Sequence, residues 1–140
     1  MSEREHIFET DRSGASAVEF ALIAPVLIFI LVAIFGYGLM FMTAMSLNQL
    51  GADAARSTIA GLSLEEKRQL ASSHLSIAAS DYILLEPDAV TFNLTEGADR
   101  RTTKLEVIYQ PESHPIRYFE GILPIPDMTF RSTQSIREHR

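Results

Sequence analysis

The chain of 140 residues contains no cysteine, which excludes disulfides, thiol catalysis and cysteine-based metal sites. It is also short of positive charge. Twelve Lys and Arg stand against 18 Asp and Glu, for a net charge of −6, and with no basic patch in view a nucleic-acid partner is excluded. Internal repeats and low-complexity segments are missing as well. The most informative gap is local: after Glu19 no Asp, Glu, Lys or Arg occurs until Asp53.

What fills that gap is a long apolar run. From Phe20 to Met45 the sequence FALIAPVLIFILVAIFGYGLMFMTAM is broken only by two glycines, a proline and a threonine. As a helix it would reach about 39 Å, against roughly 30 Å of bilayer hydrocarbon. A buried core helix is excluded by size, because the roughly 90 residues that follow cannot surround a helix apolar on every face. A cleaved secretory signal fits poorly: residues 1–14 carry Glu3, Glu5, Glu9 and Asp11 against Arg4 and Arg12, and the run is about twice a normal signal core. The reading is a single transmembrane helix over residues 15–47, in contact with the lipid bilayer. Neither flank is rich in Lys or Arg, so charge does not set its orientation.

Beyond the run, Leu47, Leu50 and Ala54 recur at helical spacing while Asn48, Gln49, Asp53 and Arg56 take other faces. This predicts that the helix continues as a stalk to about residue 60, with Gly61 as its stop. Ser63 and Glu66 form a capping-box pattern for a second helix, with Leu64, Ala71, Leu75 and Ala78 as its apolar face and an end near Asp81. After Pro87 the period changes to two. Val90, Phe92 and Leu94, then Leu105, Val107 and Tyr109, predict a hairpin with Gly97 and Asp99 in its turn. Met128, Phe130 and Ser132 predict a third strand. The intervening loop carries Pro111, Pro115, Pro124 and Pro126, and its Tyr118, Phe119, Ile122 and Leu123 are expected to pin it to the domain. The fold class is α+β: a long N-terminal transmembrane and stalk helix, a second helix and a small antiparallel β-sheet, with residues 48–140 forming the domain outside the bilayer.

The search for catalytic chemistry returns little. His6, His74, His114 and His139 are scattered, with no metal-ligand spacing; His74, beside the apolar face of the second helix, reads as a structural, partly exposed side chain. Glu65 and Glu66 point in different directions on a helix and read as first-turn acids facing its dipole. Arg100 and Arg101 read as a solvated turn, and the Asn93-Leu94-Thr95 sequon as part of a strand. No phosphate loop or nucleophile elbow occurs. The chain does not read as an enzyme, and no cofactor, metal or small-molecule substrate is expected.

The stretch from Gly14 onward is more specific. Gly14, Ala15, Ser16, Ala17, Val18, Glu19 and Phe20 lead into the apolar run. This resembles the processing site of tight-adherence type IVb pilins, in which a prepilin peptidase cuts after a glycine and a glutamate and an aromatic stand fifth and sixth after the cut. GASAVEFALIAPVLIFILVAIFGYG resembles the TadE-like pseudopilins in particular, including Pro25. Ala54, Ala55 and Arg56 match that family's Ala-Ala-Arg, and MTFRSTQSIRE is more loosely similar to its closing strand.

The resemblance implies a pilin-like fold and a leader over residues 1–14, cut between Gly14 and Ala15. It implies recognition and subunit pairing through Glu19 and Phe20, with Pro25 a place where the helix bends. The expected partners are the prepilin peptidase and other pilin, pseudopilin and pilus-assembly subunits. The expected place is the bacterial inner membrane, with a periplasmic C-terminal domain and an association with the pilus. A carboxylate at a membrane edge is costly and marks function; pairing it with the new α-amine of a neighbouring Ala15 supplies the reason for Glu19. The alternative is an unprocessed single-pass membrane scaffold of a secretion system.

Overall fold

The computed structural model describes residues 11–98 and 101–137; Asp99, Arg100, His139 and all but the last residues of the expected leader lie outside them. Helix α1 (Asp11–Ser57) is followed by a 3-10 turn (Thr58–Ala60) and helix α2 (Leu64–Ala78). Strands β1 (Val90–Glu96) and β2 (Thr102–Tyr109), a 3-10 helix (Pro115–Phe119) and strand β3 (Phe130–Arg137) complete the chain, with further 3-10 turns at Ala79–Asp81 and Pro87–Ala89. The chain divides into two units, one ending at Tyr37 and one beginning at Gly38.

In the first unit α1 exposes its large apolar side chains, among them Leu22, Ile23, Leu27, Phe29 and Phe35. A helix that is apolar on every side is stable where the solvent is hydrocarbon, because there the backbone must satisfy its own hydrogen bonds. This helix is long and apolar enough to cross a membrane.

The second unit is built on the rest of α1. Thr43, Leu47, Leu50, Gly51, Ala54, Ala55 and Thr58 are buried at helical spacing and form a single stripe. The stripe lies against the sheet, and Gly51 sets how close it comes. A Cβ at Gly51 would stand 2.8 Å from Ser132 Oγ and 3.6 Å from Val107 Cγ2. The helix ends as its hydroxyls turn back on it: Ser57 Oγ donates to the Ala54 carbonyl and Thr58 Oγ1 to that of Ala55, both at 2.7 Å. Gly61 is required by space rather than by φ, since a Cβ there would meet Lys67 N at 2.9 Å.

Helix α2 begins with the full capping box: Glu66 N donates to Ser63 Oγ and Ser63 N to the Glu66 carboxylate. Its buried side is Lys67, Ala71 and Leu75. Lys67 was not evident from the sequence as a buried residue. It sits four residues before Ala71 on the same stripe, and its Nζ donates to Thr103 Oγ1 on β2.

The sheet has the order β1-β2-β3, antiparallel throughout. Leu94 pairs with Leu105, and Phe92 with Val107, which in turn pairs with Ser132, so one face carries the apolar side chains and the other Thr91, Asn93, Lys104 and Thr133. Two expectations need correction here. Strand β3 starts at Phe130 rather than Met128 and runs on to Arg137. Its partner β2 ends at Tyr109, where the Gln110 N–H turns to the Ala89 carbonyl and Pro111 has no N–H, so Met128 and Thr129 meet no strand. Phe92 is half-buried, packed against the core rather than enclosed by it; Leu105, Val107 and Tyr109 are its enclosed members.

The proline-rich loop is pinned, but mostly not by the expected residues. Leu123 is buried and Phe119 half-buried as expected, yet the other buried members are Pro111, His114 and Ile116, while Tyr118 and Ile122 face outward. His114 is held at both ring nitrogens. Its Nδ1 accepts from Ile116 N at 3.2 Å, and its Nε2 lies 2.8 Å from Thr43 Oγ1. Thr43 Oγ1 donates its proton to the Leu39 carbonyl at 2.9 Å. It is therefore an acceptor for His114 Nε2–H, and the ring is neutral with its proton on Nε2. Tyr109 and Phe130 flank the imidazole. Tyr109 in turn donates to the Leu84 carbonyl and accepts from Glu86 N, tying the segment between α2 and β1 to β2.

Burial pushes the His114 pKa below its usual value, with the Glu86 carboxylate opposing in part. The unfolded chain then takes up a proton first as pH falls. Stability from this residue is fully present above about pH 6.5 and is lost as pH falls from there through the depressed folded value. Urea unfolding of the detergent-solubilised chain at about pH 7.5 and 5.5 should show a drop in midpoint that His114→Gln reduces. An unchanged drop would remove the residue from the account. In the same assay Leu105→Ala is expected to cost about 2–5 kcal/mol and half-buried Phe92→Ala less; an equal or larger cost at Phe92 would contradict the packing described.

Candidate functional site

The stretch singled out in the sequence, Gly14 to Pro25, lies in the N-terminal part of α1. Gly14 is helical here, within α1. Nothing stands within 4 Å of where a Cβ of Gly14 would be. Neither packing nor a left-handed backbone asks for glycine at this position. Ala15, Ser16 and Ala17 are exposed and small, leaving the flank of the helix narrow.

Glu19 is exposed one turn further on and has no ion-pair partner among the described residues. Phe20 beside it is 69% exposed, as the first large aromatic of the apolar run. α1 continues through Pro25 without a break in its helical assignment. The proline nonetheless has no N–H, so the Ala21 carbonyl loses its ordinary partner four residues on.

The Ala-Ala-Arg step at the other end of α1 divides between two jobs. Ala54 and Ala55 are buried in the core, where a larger side chain would hold the helix off the sheet. Arg56 faces outward and pairs with Asp53 at 3.1 Å, a surface ion pair of small energetic weight. Arg56 and Asp53 line an open groove of about 480 Å³ with Met45, Gln49 and Tyr82. The Tyr82 hydroxyl is pushed up from its usual pKa by burial first, then by Asp53 and Asp81.

The remaining sequence candidates are dispersed. Glu65 and Glu66 stand at the start of α2, Glu66 as part of the cap and Glu65 paired with Arg68 at 3.5 Å. His74 is half-buried on α2, and Asn93 is exposed in β1. Among the described residues no group of His, Asp or Glu is placed to hold a metal ion. The residue that sequence reasoning passed over is His114. Its only signal was its place ahead of Pro115 in a loop with few other fixed points.

Comparison with known proteins bears on the N-terminal part. The family model described as TadE-like protein matches residues 14–56. No curated protein and no solved structure gives a significant match. The matched segment starts at the glycine ahead of the apolar run and ends at the arginine of the Ala-Ala-Arg step; over it, this chain is similar to the TadE-like family.

Proposed function

We propose that this chain is a pseudopilin that takes part in building a tight-adherence type IVb pilus in the bacterial inner membrane. The observation that carries the reading is the coincidence at the head of α1. The TadE-like match begins at Gly14, whose lack of a side chain nothing in the fold explains, and five residues on an exposed Glu19 opens a helix apolar on every side. The chain acts by association rather than by catalysis.

The bilayer-crossing segment runs from about Phe20 to about Met42, because from Thr43 onward the buried stripe of α1 is committed to the domain. The domain lies on the periplasmic side. Prepilin peptidase cuts between Gly14 and Ala15, and the freed α-amine of Ala15 meets Glu19 of a neighbouring subunit when the helices stack in staggered register. Either charge left alone among apolar helices would be costly, so the pair favours one register over others. Pro25 loosens α1 one to two turns beyond Glu19, allowing the helix to bend into that bundle.

Mass spectrometry of the protein from cells with active prepilin peptidase is expected to show an N-terminus at Ala15, and Gly14→Leu to abolish it. A full-length chain in such cells would favour an unprocessed single-pass scaffold instead. With processing confirmed, Glu19→Gln removes chiefly the charge and leaves a neighbour's amine unpaired, at a cost on the order of a few kcal/mol. Crosslinking between membrane subunits is then expected to fall more than tenfold relative to wild type. Unchanged crosslinking and normal piliation would eliminate the pairing role.

A further inference from the structure

The loop between β2 and β3 carries two large side chains that its own packing leaves out. Tyr118 is 85% exposed and Ile122 56% exposed, although Ile116 and Leu123 on either side of them are buried. The backbone holds them there. Ile122 N and Leu123 N both donate to the Phe119 carbonyl, and Gly121 turns the chain at a φ of 92°. Arg117 N donates to the His114 carbonyl, so the 3-10 helix Pro115–Phe119 starts directly from the histidine that is bonded to Thr43. This is a fixed tip, with an aromatic and a branched aliphatic side chain directed away from the core.

The place of that tip follows from Thr43. From Phe20 to Thr43 a helix climbs about 34 Å, against roughly 30 Å of hydrocarbon and about 40–45 Å with the headgroups. Thr43 therefore falls in the headgroup layer on the far side, and the 2.8 Å contact to His114 holds the start of the loop at that level. On the same stretch of α1, Phe41 and Met42 are large apolar side chains left exposed. An amphipathic tyrosine ring suits this layer, with its body in the acyl boundary and its hydroxyl among headgroups.

We infer that the Pro115–Leu123 loop is a second membrane contact, in which Tyr118 and Ile122 seat in the headgroup layer and fix the domain against the lipid surface. The inference rests on the membrane-spanning reading of α1. The His114–Thr43 hydrogen bond acts as its gauge, because it couples the depth of the loop to the depth of the helix.

The absence of cysteine makes the test direct. Single cysteines at Tyr118, Ile122, Phe29 and Leu62, labelled with a bimane fluorophore in the full chain, are placed in phosphatidylethanolamine–phosphatidylglycerol vesicles. Quenching is measured with lipid carrying a doxyl group high on its acyl chain, and separately with iodide in the water. Leu62 is the control, since it is at least as exposed as Tyr118 but lies beyond the far end of α1. The labels at Tyr118 and Ile122 are expected to be quenched several-fold more by doxyl lipid than the Leu62 label, and several-fold less by iodide. The two positions give independent readings should one variant misfold. Labels at Tyr118 and Ile122 as open to iodide as the one at Leu62 would overturn the contact, and so would labels shielded from both quenchers, which would mean a protein neighbour covers the loop. A Phe29 label that doxyl lipid fails to quench would instead overturn the spanning reading itself.

Discussion

The close approach of α1 to the sheet at Gly51 is the contact on which the second unit depends. With Ser132 Oγ where a Cβ of Gly51 would press, the helix backbone lies almost directly on β2 and β3. That short distance lets small residues, Ala54 and Ala55, serve as core, and it leaves room for Leu47 and Leu50 to reach the sheet from the same stripe. It also explains why β3 presents Ser132 to the interior at its most buried position: a larger side chain there would displace the helix. Helix α2 then closes the remaining side through Ala71 and Leu75, with the stem of Lys67 packed over Gly61.

One helix thus answers to two solvents. Up to Tyr37 its side chains are exposed and apolar on all faces, a surface that is stable in hydrocarbon. From Thr43 the same helix carries a single buried stripe, and from Asn48 its exposed positions turn polar or charged, a pattern suited to packing on a domain in water. Glu19 and Asp53 bracket the uncharged stretch. The asymmetry between them has a physical reason. Asp53 has Arg56 one turn away, whereas Glu19 has no counter-charge among the described residues, which is why its partner is sought outside the chain.

His114 joins parts of the second unit that are far apart in sequence. It reaches Thr43 on α1, caps the 3-10 helix of the loop through Ile116 N, and lies against Tyr109 and Phe130. A neutral imidazole can be donor and acceptor at once, and that double role is what the site uses. The loop is long and rich in proline, and its own backbone hydrogen bonds are confined to the stretch from His114 to Leu123. The buried side chains of His114, Ile116 and Leu123 fix that stretch to the domain.

Much of this was legible in the amino-acid sequence because it rests on local rules. An uncharged run longer than a bilayer is thick means a helix long and apolar enough to span one; Ser63 followed by Glu66 starts a helix because the two side chains satisfy each other's backbone donors; Val90 to Tyr109 alternates because one face of a sheet is buried and the other is not. The Gly14-to-Phe20 pattern was equally local, and the TadE-like match begins at Gly14. What only the tertiary structure decided depends on which distant residues meet. Lys67 and His114 are polar residues that a sequence reading places outside, and they are inside because Thr103 and Thr43 stand within hydrogen-bond distance of them. Tyr118 and Ile122 are apolar residues that a sequence reading places inside. They are outside because Ile116 and Leu123 already fill the space beneath the loop, and no periodicity in a turn-rich segment says which of four apolar side chains will do so. The start of β3 was decided the same way: a strand extends as far as its partner offers unpaired backbone, and that boundary belongs to β2.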